Sequence, residues 1–431
     1  MQSAFLWFAV VIAALLAPAV AVGSPMTLEE VLGLAEQRNT ALVAARALVS
    51  ASRGELEDVR APFWNNPEIQ TEVRRRALAQ PQGPDVQRYD GGFRVSQRLE
   101  LGGQQGARRR AAEASQRAVD QSIEDVRREV RREAAQLFVQ VLTLQQRVQT
   151  EEQALGLLRR AGELTAKRVK AGEDSRLEGN LAAIEAERGA NQLALAREQL
   201  VQARAALAAH LQLDPYSQPE ASGNLDAPPP AYTLNDLLMS AEKRPKLKLL
   251  AAREQAAQSR LDLERGNAYP DLTVGLSHSP EKNIDTQDRI TTLSFALPLP
   301  IFRRNATGIG RARTEIDQAR IERHAAERDI EAAVNALWLR VQSLQERAER
   351  LQKLVLPGLE ENQILSFKAL QAGEIGLSQF LLVRRQVLDG RRDLLDARSE
   401  LRLARIALEN AAAWPDRLPP LSPVETREGE R

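Results

Sequence analysis

Apolar residues along this chain fall into two rhythms, a long one that predicts supercoiled helices and a short one that predicts strands. Val130, Ala134, Leu137, Val141, Leu144, Val148 and Leu155 run mostly four, three, four, three, the 3.5-residue repeat of a coiled-coil seam. The same ladder returns 200 positions later as Ile330, Val334, Leu337, Val341, Leu344, Ala348 and Val355. Other marks recur at similar offsets. Thr27-Leu28-Glu29-Glu30 matches Thr233-Leu234-Asn235-Asp236, Asn66-Pro67-Glu68-Ile69 matches Tyr269-Pro270-Asp271-Leu272, and Lys170-Ala171-Gly172-Glu173 matches Gln371-Ala372-Gly373-Glu374. These offsets are 206, 203 and 201. Two homologous halves explain the set, with loop insertions accounting for the drift.

Each half reads as a helix (27 to 61 and 233 to 267), a short strand-rich piece, a long helix (about 104 to 171 and 304 to 371) and a return helix (about 175 to 213 and 376 to 413). No proline falls between Pro84 and Pro215, so nothing there breaks the first long helix. At 1.5 Å per residue it extends roughly 100 Å. The first helix (27 to 61) plus the last return helix, and the first return helix plus 233 to 267, each come close to one long helix in length. Stacked end to end in those pairs, they would make a four-stranded helical wall, with 214 to 232 crossing at mid-height.

The short rhythm has period 2. Phe93, Val95, Leu99 and Leu101 alternate with Arg94, Ser96, Arg98 and Glu100; Ile69, Thr71 and Val73 alternate with Gln70, Glu72 and Arg74. Leu272, Val274 and Leu276, then Leu293, Phe295 and Leu297, give two more strands with one apolar face. Such strands suit half of a soluble sandwich or a barrel crossing an outer membrane. Four of them close a barrel only by oligomerising, which also removes their open edges.

Composition narrows the function. Basic and acidic residues number 59 and 58, which argues against a nucleic-acid-coating role, and there is no cysteine for a disulfide, a thiolate metal site or a lipid-modified N-terminus. His210, His278 and His324 fall in different elements without a second ligand at metal-binding spacing. No nucleophile, base and orienter set or phosphate loop points to an enzyme. The apolar run from Ala4 to Leu16, followed by Ala19-Val20-Ala21, fits a signal peptide over 1–21, cut after Ala21. That run falls short of the roughly 20 residues a spanning helix needs. The division is then 1–21 signal peptide, 22–231 first repeat, 232–414 second repeat and 415–431 disordered tail.

A duplicated order of helix, strand hairpin, long helix and return helix behind a signal peptide resembles the TolC family of outer-membrane efflux channels. Thr27-Leu28-Glu29-Glu30-Val31-Leu32 with Arg38-Asn39-Thr40-Ala41-Leu42 is similar to the family's N-terminal signature, and Asn66-Pro67-Glu68-Ile69 to its entry into the first strand. Gln97 to Arg108, containing Leu99-Glu100-Leu101-Gly102-Gly103, resembles the heavy-metal branch, the outer-membrane partners of cobalt, zinc, cadmium or copper exporters. The resemblance implies a mostly α fold with four short strands per chain, a homotrimer forming one transmembrane β-barrel and a periplasmic α-helical tunnel, in outer-membrane lipid. It implies no catalysis and no cofactor. The channel would dock on a periplasmic adaptor, a membrane fusion protein, and work with an inner-membrane pump of the RND type. Alternatives are a drug or solvent exporter's channel, a type I secretion exit, or a periplasmic coiled-coil adaptor.

Gly172 and Gly373 end the long helices at equivalent places, as glycine's left-handed conformation allows. In the family these hairpin tips meet the adaptor, which makes Val169, Gly172, Leu177, Leu370, Gly373 and Leu377 contact candidates beside a purely structural reading. Glu173, Asp174, Glu178 and Glu374 lie close to the tips and would form threefold acidic rings around the aperture, or act as solvated charge. The acidic gate of some relatives is not carried over, since Gln379 and Leu382 stand at those places. Glu72, Arg94, Arg98 and Glu100 are candidates for the barrel lumen. Arg108 to Arg110, with Arg303, Arg304, Arg311 and Arg313, would meet lipid headgroups or form a solvated helix face.

Overall fold

A computed structural model describes residues 25–80, 83–226, 232–282 and 287–415; the expected signal peptide and all but the first residue of the expected tail lie outside them. Each repeat opens with a short helix fixed by a capping box, in which side chain and backbone exchange hydrogen bonds. In α1 (Leu28–Arg38) the Thr27 amide donates to Glu30 Oε2 at 2.7 Å and the Glu30 amide to Thr27 Oγ1 at 3.4 Å. In α5 (Leu234–Ala241) Thr233 and Asp236 do the same at 2.9 and 3.3 Å. The expected single helices over 27–61 and 233–267 are each split in two. Asn39 is extended and caps α2 (Thr40–Arg60), and Pro245 opens α6 (Pro245–Gly266).

Four strands follow in two hairpins: β1 (Glu68–Gln80) and β2 (Gly83–Leu99), then β3 (Leu272–Lys282) and β4 (Gln287–Ala296). They form one antiparallel sheet ordered β1-β2-β3-β4, the two repeats meeting where β2 pairs with β3. The first hairpin extends beyond the segments whose alternation is plain, because Arg74-Arg75-Arg76 and Gly91-Gly92 mask the period. Glu100 and Leu101, expected in the strand, lie just past its end.

The first long helix, α3 (Gln104–Ala171), spans the interval expected and starts after Gly103, whose φ of 76° is left-handed. α4 (Arg176–His210) returns from it. The second long helix is not continuous: α7 (Ala306–Arg350) passes through a π turn (Leu351–Val355) into α8 (Leu356–Ala372), and α9 (Leu377–Ala411) returns. Pro357 lies just beyond the π turn, which removes the demand for a normal hydrogen-bonding amide there. The turn also explains part of the repeat drift. The ladder offset is 200 above it and the tip offset 201 below it, so this insertion sits inside a helix and not in a loop.

The half-length helices stack differently from the expected pairs. Asn39 Nδ2 donates to the His210 carbonyl at 3.2 Å, putting the end of α4 beneath α2. Ser240 Oγ and Arg244 Nη1 donate to the carbonyls of Ala413 and Ala411, both at 3.3 Å, putting the end of α9 beneath α6. The α6/α9 column packs between α3 and α7, while α2 and α4 pack on α3. The wall therefore has α2/α4 at one edge and α7/α8 at the other. Its main core gathers ladder residues Val130, Ala134 and Val141 with Val31, Leu42 and Leu207; a second gathers Ile330, Val334 and Val341 with Leu237 and Leu408. Below, Leu158 of α3 fills the space over Gly189 of α4, and Leu359 of α8 fills the space over Gly390 of α9, an equivalence 201 residues apart. Sequence spacing alone did not single out these glycine sockets.

Candidate functional site: the sheet faces, the helix tips and the open edges

The pleat sorts the sheet into two surfaces. Ile69, Val95, Leu276 and Leu293 stand side by side across all four strands, each well exposed. Val73, Phe93 and Phe295 extend this apolar face. On the opposite face Gln70, Arg94, Ser277 and Thr292 form one row. Above it Arg76 pairs with Asp90 at 2.5 Å and Glu281 at 3.6 Å, and Arg74 with Glu72 at 3.0 Å. A sheet apolar on one side and charged on the other satisfies lipid outside and water inside once closed into a barrel. Glu72, Arg94 and Arg98 share this polar face by strand parity. Glu100 is placed differently: past β2, its carboxylate takes both Arg108 guanidinium nitrogens at 2.6 Å, and Arg108 covers the Trp64 ring at 4.3 Å. That charge clamps the sheet-to-helix joint.

At the far end of the wall the two hairpin tips share one backbone design. The Gly172 and Glu173 amides donate to Val169 and Arg168 carbonyls at 3.1 and 2.9 Å; those of Gly373 and Glu374 donate to Leu370 and Ala369 at 3.2 and 2.9 Å. Both glycines have φ near 75°, which a side chain would strain. Gly172, Gly373 and Leu177 are exposed at the tips, Leu177 at 76%, and Val169 is half-buried. Leu370 and Leu377 are not surface contacts. They are 3% and 2% exposed, packed with Phe380, Ala161 and Ala182 into a core that joins the hairpins.

Arg168, which the spacing arguments missed, ties the tips together. Its Nη1 donates to the Leu370 carbonyl at 3.2 Å, and its Nε lies 3.1 Å from Asp174 and 3.7 Å from Glu173. Asp174 is thus neutralised locally, whereas among the described residues Glu178 and Glu374 form no ion pair within the subunit. The signal was available in the repeat, since the counterpart of Arg168 is Ala369.

Both lateral edges of the wall expose apolar side chains that a solvated monomer would bury. Val43, Ile184, Leu195 and Val201 line the α2/α4 edge; Ile321, Leu339, Leu354 and Ile364 line the α7/α8 edge. The sheet likewise ends in unpaired β1 and β4. Edges open at strands and helices alike call for another subunit on each side. Among the described residues no helix is long and apolar enough to cross a membrane.

Known proteins match these features. A model of the outer membrane efflux protein family matches residues 31–211 and 238–413, one span in each repeat. The cobalt-zinc-cadmium resistance protein CzcC of Cupriavidus metallidurans is 30% identical over 377 residues, covering 85% of each chain. Among solved structures, CusC superposes with a TM-score of 0.74 at 17% identity over 91% of this chain and 95% of its own. VceC, an outer membrane protein of Vibrio cholerae, superposes at 0.73 with 16% identity over 89% and 95%. The four-stranded sheet and the helical wall are thus one subunit's share of a barrel-and-tunnel channel, and the chain belongs to the outer membrane efflux protein family.

Proposed function

We propose that this channel is the passive exit duct of a tripartite system exporting heavy-metal cations, built as a homotrimer and fed through a periplasmic adaptor by an inner-membrane pump of the RND type. The observation that carries the metal reading is the likeness to CzcC over 85% of both chains. The metal is cargo here. Among the described residues no group of three or more His, Cys, Asp or Glu is placed to hold an ion, and on the sheet's polar face Glu72, Asp90 and Glu281 are each paired with an arginine. Such a surface passes hydrated cations without retaining them.

Growth of a deletion strain on cobalt, zinc, cadmium, nickel, copper and silver salts, beside detergents and antibiotics, tests the substrate. Sensitivity confined to metals is expected; sensitivity confined to organic compounds would overturn the substrate and leave the channel standing.

The tips are the proposed adaptor surface, with Gly172, Gly373, Leu177 and Val169 as its contacts. A Cβ at Gly172 meets no atom within 4 Å, so a side chain there projects away from the subunit. Gly172→Arg is expected to keep the trimer while abolishing cross-linking to the adaptor, at a local strain of about 1 to 2 kcal/mol. Undiminished cross-linking would remove the tips from the docking surface.

A further inference from the structure

The sheet register brings two unusual segments to one level. Glu68, Ser96, Gly275 and Ser294 stand in one row, so the chain entering β1 and the chain leaving β4 emerge from the same end of the sheet on opposite edges. The entering segment carries Phe63 and Trp64, about half exposed; Arg108 covers one face of the Trp64 ring. The leaving segment carries Leu299, Ile301 and Phe302, the last 96% exposed. Leaving these rings in water forfeits the apolar burial that holds most interfaces together.

The flanking charges are complementary. Glu57 and Asp58 sit on the side of α2 away from its buried Ser52, Leu56 and Val59, while Arg303 and Arg304 follow Phe302 directly. All four are exposed, and among the described residues none forms an ion pair within its own subunit. The segment after β4 is thus apolar then basic, and the one before β1 acidic then apolar.

We infer that these two segments form a subunit-to-subunit seam at the base of the barrel: Phe302 of one subunit packs on the partner subunit's Trp64 and Phe63, and Arg303 and Arg304 face the partner subunit's Glu57 and Asp58. The inference rests on the homotrimer proposed above. Closing the sheet sets β4 beside the next subunit's β1, which brings the two linkers to adjoining edges at the same end of the barrel. A second copy is the occupant, and not lipid, because bilayer headgroups would leave Glu57 and Asp58 facing like charge. The seam gives Arg303 and Arg304 a role in assembly and clamps the junction where strands become helices.

The absence of cysteine makes the test clean. Trp64→Cys and Phe302→Cys, singly and together in the full chain, are oxidised in outer membranes, and unheated gels report assembly. Covalent dimers and trimers in the double variant alone are expected. Assembled trimers without covalent product would overturn the seam but keep the trimer; no trimer from the unmodified chain would overturn both. A label on Phe302→Cys quenched by brominated phospholipid as strongly as one on Leu293→Cys would assign the segment to lipid and sink the seam. Should the cysteine variants fail to assemble, charge exchange decides. Glu57→Arg with Asp58→Arg is expected to lower the temperature at which trimers dissociate, and adding Arg303→Glu with Arg304→Glu to restore it; no restoration overturns the pairing.

Discussion

Gly102→Val is expected to remove the assembled channel from the outer membrane. Gly102 sits between β2 and α3, and a Cβ there would collide with the carbonyl oxygen of Gly266 and lie 3.0 Å from its Cα. The contact is reciprocal, since a Cβ on Gly266 would lie 2.9 Å from the Gly102 oxygen. Both obstacles are backbone, and Gly266 is buried at the end of α6, so neither side can rotate away. Two chain segments from different repeats touch here without side chains, and a valine must push α3 from α6. Overpacking of this kind costs on the order of 3 kcal/mol. Gly156→Ala is the control: its Cβ would meet nothing within 4 Å inside α3, and it should gain up to about 1 kcal/mol. Trimer fraction and dissociation temperature on unheated gels measure both, and normal trimers from Gly102→Val would show that the two segments can separate.

Glu36→Ala is the second large effect. The Glu36 carboxylate accepts Nε and Nη2 of Arg127 at 3.0 Å each and Nη1 of Arg131 at 2.5 Å, pinning α1 to α3. Arg127 is 3% exposed, so its guanidinium keeps the desolvation cost after losing this bidentate carboxylate. Breaking a buried pair from one side costs about 3 to 5 kcal/mol. Denaturant midpoints should fall accordingly, and the difference between variant and wild type should persist in moderate salt because water scarcely reaches the pair. A midpoint equal to wild type would show that Glu124, 3.6 Å from Arg127, suffices as its partner.

Much of this architecture was legible because its determinants are local. Thr27-Leu28-Glu29-Glu30 and its copy at Thr233 mark where each repeat begins, glycines close the tips, and the long helix over 104–171 carries its heptad signal in its own residues. What escaped depended on choosing among equals. The half-length helices fit a long one in either pairing, so length could not tell that α4 belongs beneath α2; Asn39 and His210 decide it through one hydrogen bond. Leu370 and Leu377 were legible as apolar residues at the tips, but the face they present depends on how one hairpin rolls against the other. Glu100 continues the strand's alternation by parity, yet Arg108 one helical turn into α3 captures it. Arg168 could be noticed only by asking where the repeats differ.

The π turn at Leu351–Val355 has a consequence for tolerance to length change. An added residue in an ordinary α-helix rotates everything beyond it by about 100° and advances it by about 1.5 Å. Below this turn no such rotation is seen: Leu359 still meets Gly390 as Leu158 meets Gly189. The wider turn swallows the surplus residue and hands the helix on in phase. Shortening the chain by one residue within 351–355, with Pro357→Ala so that an amide is again present there, should therefore restore a regular helix and leave the second hairpin aimed where it was, whereas a one-residue deletion in uninterrupted α3 would swing Leu158 out of its socket and turn the first tip aside. One hairpin of this channel carries a spare residue, and the other has no slack to give.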